Sequence, residues 1–260
     1  MAPARSLAGL RVLVTGASSG IGAAVSSALA GRGARVFGTG RDDSALEAAR
    51  AQFVATLACD LTSPGAAAAV VTAGAEALGG LDVVVSNAGA GWSGPFESMT
   101  AEELDWLLDI NLRAPVHLAH AASRYLHESD VGGQLVLIGS VAGLVGVPNE
   151  VAYCAAKSGL RGLAESMRAE WHRAAAGAAG PLTVTLVSPG VVGTPFFARR
   201  NQPYTRAWPR PVPVETAASA VIGAIEHRHL DVVVPAWLRV PARLNGGLPS
   251  LYRLLSRLEP

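Results

Sequence analysis

Short apolar runs rich in valine and leucine alternate along the chain with longer, alanine-rich stretches. Apolar runs of this kind, bounded by turn residues, are typical of strands buried on both faces, and the stretches between them are long enough for helices. The alternation predicts an α/β fold, with a doubly wound parallel sheet of seven strands covered by helices on both faces. The predicted strands cover residues 10–15, 35–40, 55–59, 81–86, 134–139, 182–187 and 230–234.

The chain has 260 residues, half of them apolar, and no linker or repeat divides it, so we expect a single domain over 1–260. No apolar run approaches the roughly 18 residues of a membrane span, and the first residues lack an apolar signal core. We therefore expect a cytoplasmic protein. The two cysteines, Cys59 and Cys154, and the six histidines form no metal-binding pattern, so no metal is expected.

The net charge is +1, but it is unevenly distributed. Residues 1–197 contain 12 basic and 16 acidic side chains, whereas the remainder contains nine arginines and four acidic residues. Nucleic-acid-binding proteins usually present a basic stripe interleaved with aromatic residues, and the larger part of the chain has none. Nucleic acid is therefore not an expected partner.

A glycine-rich turn follows the first predicted strand, with glycines at positions 16, 20 and 22. Such glycines let the chain turn tightly and let its backbone approach a pyrophosphate, which the positive end of the following helix stabilises. The spacing G-x-x-x-G-x-G differs from the common G-x-G-x-x-G, and a plain loop is the alternative interpretation. The position of the turn between a strand and a helix favours a dinucleotide site of the Rossmann type.

The second predicted strand ends at Gly40 and is followed by Arg41. At this point an acidic residue would accept hydrogen bonds from the adenosine ribose, whereas an arginine accommodates a 2′-phosphate. Arg41 therefore predicts NADP(H) rather than NAD(H). Asp42 and Asp43 argue against this assignment, but they are more typical of the polar start of the next helix.

Lys157 is the only lysine among the 21 basic residues, and it follows Tyr153 by four positions. Residues four apart on a helix share one face, so the ammonium and the phenol are expected to be neighbours. A cation about 4 Å away would stabilise the phenolate and lower the pKa of the tyrosine from about 10 toward neutral pH, as an acid–base group requires. The alternative interpretation is an ordinary surface lysine beside a half-buried tyrosine.

Further short motifs follow one another along the chain: Asp60 after the third strand, Asn87-Ala88-Gly89 after the fourth, Asn111 in Ile-Asn-Leu, Ser140 in Ile-Gly-Ser-Val-Ala-Gly, Tyr153 with Lys157, and Pro189-Gly190 with Thr194. Together with the glycine turn, these motifs resemble those of the classical short-chain dehydrogenases/reductases over nearly the whole chain. Each motif is modest alone, and their common order and spacing make the resemblance specific.

The resemblance implies a catalytic group of four residues. Ser140 would donate a hydrogen bond to the substrate carbonyl oxygen, and Tyr153 would transfer the proton. Lys157 would lower the tyrosine pKa and bind the nicotinamide ribose, while Asn111 would hold a water that links Lys157 to solvent. The implied cofactor-binding residues are Gly16, Ser18, Ser19, Gly20, Ile21, Gly22, Arg41, Asp60, Leu61, Asn87, Ala88, Gly89, Tyr153, Lys157, Pro189, Gly190, Val192 and Thr194.

Three of these polar residues also have a purely structural interpretation. Asn87 would then only join neighbouring strands, and Ser140 would only end a strand. Asn111 would be a satisfied amide inside a helix.

A stretch without helical or strand periodicity covers residues 194–213 and follows a strand end, where a long irregular segment is often a lid. Its aromatic residues predict a roomy apolar substrate pocket, and a disordered proline-rich loop is the alternative. The predicted substrate-contacting residues are Trp92, Leu144, Val147, Phe196 and Phe197, and the aromatic set of the stretch also includes Tyr204 and Trp208.

The C-terminus departs from the family pattern, in which Asp-Gly-Gly commonly follows the last strand and packs into a tetramer. Here residues 237–258 form an amphipathic segment with arginines on its polar side. Such a segment packs on its own chain or on a partner subunit, or it lies on a membrane surface. We expect a homo-oligomer, a dimer or a tetramer, with peripheral membrane contact as the alternative.

The predicted function is that of an NADP(H)-dependent oxidoreductase which interconverts a carbonyl (ketone or aldehyde) and an alcohol on an apolar small molecule. A noncatalytic dinucleotide sensor is the alternative from another class, because this fold also hosts binding proteins. The Tyr153/Lys157 pair favours the enzyme, since a sensor needs no proton donor. Enoyl reductases of this kind space the tyrosine and lysine more widely than the four positions found here.

Overall fold

Seven parallel strands form one sheet in the computed structural model, which describes residues 4–174, 179–205, 209–248 and 250. The strands are β1 Arg11–Thr15, β2 Arg35–Gly40, β3 Ala55–Ala58, β4 Val83–Ser86, β5 Gln134–Ile138, β6 Thr183–Pro189 and β7 Asp231–Val234. Their order across the sheet is β3-β2-β1-β4-β5-β6-β7. The predicted seven-stranded parallel sheet is confirmed, and its strand ends differ from the predicted ones by at most two residues.

Helices connect the strands and cover the sheet. They are α1 Gly20–Ala30, α2 Asp43–Ala48, α3 Ala66–Leu78, α4 Ala101–Leu108, α5 Ala114–His127, α6 Val151–Ala174, α7 Phe196–Arg199, α8 Val214–Glu226 and α9 Arg239–Gly247. A π-helical turn, Asp109–Arg113, joins α4 to α5, and a 3₁₀ turn, Val141–Gly143, follows β5.

Successive residues of each strand point to opposite faces of the sheet, so the fold has two apolar cores. In β1, Leu13 packs into the core on the side of α3, α5 and α6. Its neighbours Val12 and Val14 pack into the core on the side of α1 and α8. Because both faces are buried, the strands have the continuous apolar composition that made them recognisable in the sequence.

The strand order reverses between β1 and β4, since the chain passes outward through β2 and β3 before it returns to the other side of β1. Open α/β sheets bind their ligands beyond the carboxyl ends of the strands at such a reversal. The glycine turn after β1 and the segment after β4 both lie at this point.

The predicted helical extension at the C-terminus is present as α9, preceded by a 3₁₀ turn at Ala236–Leu238. Residues 249 and 251–258 of the predicted amphipathic segment lie outside the described residues. Within the described ranges, no helix is both long enough and apolar enough to span a bilayer.

Candidate functional site

The glycine turn has a shape that only glycine permits. Gly16 and Gly20 have φ angles of 66° and 56°, which side chains rarely adopt. A Cβ on Gly22 would lie 2.2 Å from the carbonyl oxygen of Gly16 and 2.4 Å from Nδ2 of Asn87. Helix α1 begins at once, with Ser19 as its N-cap and no acidic residue in its first turn. This tight turn before a positive helix end fits the pyrophosphate of a dinucleotide.

Asn87 and Ala88 join the end of β4 to the glycine turn. The hydroxyl of Thr15 accepts hydrogen bonds from both backbone N–H groups, at 2.9 and 3.0 Å. The Asn87 side chain donates to the carbonyls of Thr15 and Gly16, at 2.9 and 3.3 Å. Asn87 therefore does hold neighbouring strand ends together, and its contact with a cofactor stays a prediction.

The ends of β2 and β3 carry the charges that would surround the adenosine. Asp42 accepts a hydrogen bond from the backbone of Ala45 at 3.0 Å and caps α2, which begins at the next residue, as the sequence indicated. Arg41 is exposed. Hydrogen bonds from Thr62 lower the pKa of Asp60, and the positive charge of Arg41 lowers it further. The carboxylate of Asp42 is therefore engaged in its own helix, while the guanidinium of Arg41 is accessible.

The other predicted cofactor residues lie along the same edge. A Cβ on Gly40 would lie 2.8 Å from Oγ of Ser18, and a Cβ on Gly20 would lie 3.4 Å from the side chain of Thr194. The backbone of Gly190 donates to the carbonyl of Val234 at 2.7 Å, which joins the ends of β6 and β7. The turn after β1 and the segment after β6 thus face each other. Of the remaining predicted residues, Leu61, Pro189 and Val192 are buried, and Ile21 is partly buried.

Ser140, Tyr153 and Lys157 come together beyond β5. Ser140 caps the 3₁₀ turn, and its hydroxyl accepts a hydrogen bond from the backbone of Ala142 at 3.1 Å. The turn packs directly on α6, since a Cβ on Gly143 would lie 2.6 Å from the carbonyl oxygen of Lys157. Tyr153 and Lys157 face inward and are only 8% and 5% exposed. The alternative interpretation, an ordinary surface lysine beside a half-buried tyrosine, is therefore wrong.

The contact between Lys157 and Tyr153 in the structure differs from the predicted one. Nζ of Lys157 lies 5.7 Å from the centre of the Tyr153 ring and donates to the carbonyl of Ile138 at 3.1 Å. Burial lowers the pKa of Lys157 to about 8. Burial also raises the pKa of Tyr153 above its ordinary value. The expected lowering of the tyrosine pKa is thus not seen, because removal from water disfavours the charged form of each group.

Four groups besides burial act on the pKa of the Tyr153 phenol. The hydroxyl of Ser140 interacts with the phenol and counteracts the rise of its pKa. Glu150 and Cys154 add to the rise, whereas the guanidinium of Arg200 opposes it. Glu150 and Arg200 form an ion pair of 2.6 Å with side chains 17% and 6% exposed. No sequence pattern indicates this pair, because the two residues are joined only by the fold.

Asn111 lies in the π-helical turn between α4 and α5 and is fully buried. Its side chain donates to the carbonyls of Ala90 and Leu107, at 2.9 and 3.0 Å, and accepts from the backbone of Ala90 at 3.3 Å. Asn111 is therefore an amide with satisfied hydrogen bonds inside a helix, as the structural interpretation stated. A Cβ on Gly89 would lie 2.8 Å from Oδ1 of Asn111 and 3.5 Å from Nζ of Lys157, so both groups flank the same backbone. The predicted water link to Lys157 stays a prediction.

An apolar cluster surrounds Tyr153 on the substrate side. It contains three of the five predicted substrate residues: Trp92, Val147 and Phe196. The ring centres of Tyr153 and Phe196 are 5.9 Å apart. Leu144 and Phe197 lie outside this cluster. The cluster also contains Leu107, which the sequence analysis did not single out.

The two residues outside the cluster have other neighbours. The carbonyl of Leu144 accepts a hydrogen bond from Asn245 of α9 at 3.0 Å. The ring of Phe197 meets that of Phe196 edge to face, with centres 5.2 Å apart, and lies tilted against the ring of Tyr204 at 5.3 Å. Helix α9 therefore lies against the loop that follows Ser140. Contact of the C-terminal segment with a subunit or a membrane stays a prediction.

The segment predicted as a lid, 194–213, is described except for residues 206–208, so Trp208 lies outside the description. Its base is held by a parallel bridge between Val192 and Val212. The side chain of Asn201 exchanges two hydrogen bonds with the backbone of Ser93, at 2.8 and 2.6 Å. The segment thus lies over the apolar cluster, with specific polar contacts at its base and near its middle.

The chain is similar to known proteins in sequence and in fold. The family model for the short chain dehydrogenase matches residues 11–205. D-threitol dehydrogenase of Mycolicibacterium smegmatis is 35% identical over 194 residues, which cover 72% of this chain and 72% of that protein.

Two solved structures resemble the chain over most of its length. A short chain dehydrogenase from Burkholderia cenocepacia in complex with NADP has a TM-score of 0.75 and 28% identity, covering 88% of this chain and 98% of the other. A short chain dehydrogenase/reductase from Burkholderia phymatum in complex with NAD has a TM-score of 0.82 over 95% of this chain and 96% of the other, and at 21% identity it shows the common fold.

Proposed function

The chain belongs to the short-chain dehydrogenase family and is an oxidoreductase that acts on CH–OH groups. From this premise we propose that it uses NADP(H) to interconvert a ketone or aldehyde and an alcohol on an apolar small molecule. The observation that carries the proposal is the convergence of Ser140, Tyr153 and Lys157 beside the glycine turn, at the edge where such sheets bind ligands.

The residues that would hold the cofactor surround the reversal of the sheet. The turn around Gly16 would receive the pyrophosphate, and Arg41 would bind the 2′-phosphate of the adenosine ribose. The carboxylate of Asp42 keeps its negative charge, and one of its oxygens is engaged in capping α2. Solved relatives contain NAD in one case and NADP in another, so the preference is read from Arg41. When bound, the nicotinamide supplies or accepts the hydride.

Tyr153 would transfer the proton. Its raised pKa keeps the phenol protonated at neutral pH, which is the form that donates a proton to a carbonyl oxygen during reduction. The Ser140 hydroxyl interacts with the phenol and would donate a hydrogen bond to the same substrate oxygen as negative charge develops there. Alcohol oxidation requires the phenolate and should therefore increase at high pH.

Lys157 would stabilise the phenolate that remains after the transfer. Its ammonium is buried within 5.7 Å of the Tyr153 ring centre, where a positive charge is only weakly screened. With a pKa of about 8, the lysine is charged at neutral pH and loses its proton in mildly alkaline solution. Asn111 would position the backbone around Ala90 and, as the family resemblance implies, hold a water that links Lys157 to solvent.

The substrate is proposed to be apolar around its carbonyl, because Trp92, Val147 and Phe196 belong to the same apolar cluster as Tyr153. The name of the relative D-threitol dehydrogenase indicates a polyol, which differs in chemical class from the apolar substrate proposed here. Leu144 and Phe197 would contact parts of the substrate that lie farther from the reacting carbon.

Self-association is proposed as well, through the continuous helical run of α4, the π-helical turn and α5. One partly exposed side of this run carries Leu108, Leu112 and Val116 together with charged residues. Light scattering of the purified protein measures its mass in solution, and a monomer at all concentrations would contradict this part of the proposal.

The test is a panel of apolar ketones, aldehydes and secondary alcohols, assayed with NADPH or NADP+ and with NADH or NAD+. We expect turnover with the phosphorylated cofactor, loss of that preference in Arg41→Ala, and loss of turnover in Tyr153→Phe. A protein that binds NADPH but turns over no member of the panel, with Tyr153→Phe indistinguishable from wild type, would be a sensor instead. Turnover with NADH equal to or above that with NADPH would refute the cofactor assignment.

A further inference from the structure

Helix α7 brings an arginine to the glycine turn. Nη1 of Arg199 donates a hydrogen bond to Oγ of Ser19 at 3.0 Å. Ser19 is the N-cap of α1, and its hydroxyl makes no capping hydrogen bond to that helix. The guanidinium of Arg199 therefore lies at the helix end where the glycine turn would receive a phosphate.

The glycine turn that Arg199 contacts lies against the end of β2. A Cβ on Gly40 would lie 2.8 Å from Oγ of Ser18, the residue before Ser19, and Arg41 follows Gly40 directly.

The charge of Arg199 also acts on Asp42, the residue after Arg41. Hydrogen bonds from Ser44 and Ala45 lower the pKa of Asp42, and the charge of Arg199 adds to this lowering. Asp42 directly follows Arg41 at the end of β2. The guanidinium of Arg199 thus lies on the side of the glycine turn that faces the adenosine end of the site.

The residues after Arg199 hold this part of the segment in place. Arg200 pairs with Glu150 just before α6, and Asn201 binds the backbone of Ser93 through two hydrogen bonds. Three consecutive residues therefore contact three separate parts of the site. Arg199 itself is exposed, so its replacement should leave the core intact.

Resting on the proposed function, we propose that Arg199 is a cofactor-specificity residue that binds the 2′-phosphate of NADP(H) together with Arg41. Two guanidinium groups suit a phosphate dianion, because each offers a planar pair of donors that matches its oxygens. Arg199 now donates to the neutral hydroxyl of Ser19. A charged phosphate oxygen is a stronger acceptor, so a bound phosphate would compete for this guanidinium. Binding of the 2′-phosphate would then also stabilise the segment that covers the substrate, since Arg199 belongs to it.

The test measures the affinity of the full-length protein for 2′,5′-ADP and for 5′-AMP by isothermal titration calorimetry, without turnover. Loss of a charge-assisted hydrogen bond predicts that Arg199→Ala binds 2′,5′-ADP about 10- to 100-fold more weakly. Its affinity for 5′-AMP should change less than about twofold. Arg199→Lys should show an intermediate loss, because lysine retains the charge without the fork.

The control is Arg173→Ala, which removes an exposed arginine near the end of α6 and should bind both nucleotides as wild type does. An unchanged affinity of Arg199→Ala for 2′,5′-ADP would overturn the role of Arg199. An equal loss for both nucleotides would overturn it as well, because the residue would then act on the shared 5′-phosphate.

The NADP(H) preference and the role of Arg199 can be tested separately. Wild-type protein that binds 2′,5′-ADP no better than 5′-AMP would contradict the NADP(H) preference, and with it the role of Arg199. Wild-type preference for 2′,5′-ADP that persists in Arg199→Ala would contradict the role of Arg199 alone.

Discussion

The ammonium of Lys157 lies 5.7 Å from the centre of the Tyr153 ring and donates its hydrogen bond to the carbonyl of Ile138. Both groups are buried, and burial shifts their pKa values in opposite directions. The protein therefore keeps a proton on the phenol and holds a positive charge nearby at an energetic cost. Such an arrangement suits proton donation to a carbonyl oxygen. It can be tested through the pH dependence of the reaction and of the free energy of unfolding.

Lys157→Met should be more stable than wild type at pH 7 and nearly inactive. The pKa of Lys157 is about 8 in the folded protein against 10.5 for the free side chain, so the unfolded chain binds more protons between these values. The stability of wild type relative to Lys157→Met should therefore be lowest below pH 8 and rise toward pH 10. We expect the variant to gain about 1–3 kcal/mol at pH 7, seen as a higher midpoint of thermal unfolding.

The matched variant for this prediction is Lys157→Arg. Arginine keeps its proton throughout this pH range, so its stability relative to Lys157→Met should not rise with pH. A difference between wild type and Lys157→Met that stays constant from pH 7 to 9.5 would show that the lysine is not titrating in the fold.

Tyr153→Phe should lower kcat by about 10²- to 10⁴-fold, the usual contribution of a positioned acid–base group. The phenyl ring retains the packing against Phe196, so the affinity for NADPH, measured by fluorescence titration, should stay within about twofold. Turnover that survives at more than a tenth of the wild-type rate would rule out Tyr153 as the proton donor.

Glu150→Gln and Arg200→Met should shift the pH dependence of alcohol oxidation in opposite directions. Glu150 raises the pKa of Tyr153 and Arg200 opposes this rise. Removal of the carboxylate should therefore move the rise in oxidation rate to lower pH, and removal of the guanidinium should move it to higher pH. The pH profile of kcat/KM checks both signs.

Each single substitution leaves a buried partner without its counter-ion, so each should also lower the thermal midpoint. The double variant Glu150→Gln/Arg200→Met should recover part of that loss, because no unpaired charge remains. Shifts of equal sign in the two single variants would mean that the pair acts on the site through packing instead of charge.

Gly22→Ala and Gly162→Ala are a matched pair of glycine substitutions in helices. A Cβ at Gly22 would lie 2.2 Å from a backbone oxygen, so the glycine turn must move. We expect a loss of about 1–3 kcal/mol and a marked fall in nucleotide affinity, measured by calorimetry. A Cβ at Gly162 meets no atom of the described residues within 4 Å, so this variant should gain about 0.4–1 kcal/mol. Normal nucleotide binding by Gly22→Ala would contradict the close packing of the turn.

The positions of the strands, and the side chains that follow each of them, can be predicted from the amino-acid sequence alone. A parallel strand buried on both faces must be a continuous apolar run, so all seven strands are visible in the sequence. Helical periodicity likewise placed Tyr153 and Lys157 on one face of α6. The glycine turn and Arg41 could also be recognised in the sequence. The turn depends on a local backbone shape, and Arg41 is the first residue after a strand.

The surroundings of these groups depend on the three-dimensional fold and could not be predicted from the sequence. The pKa of Tyr153 rises because distant elements exclude water from it, and no spacing along the chain reports that burial. Arg199 meets Ser19 across 180 residues, and Arg200 meets Glu150 across 50, so neither contact has a sequence pattern. Local patterns specify secondary structure, whereas desolvation and charge pairing depend on which segments the fold brings together.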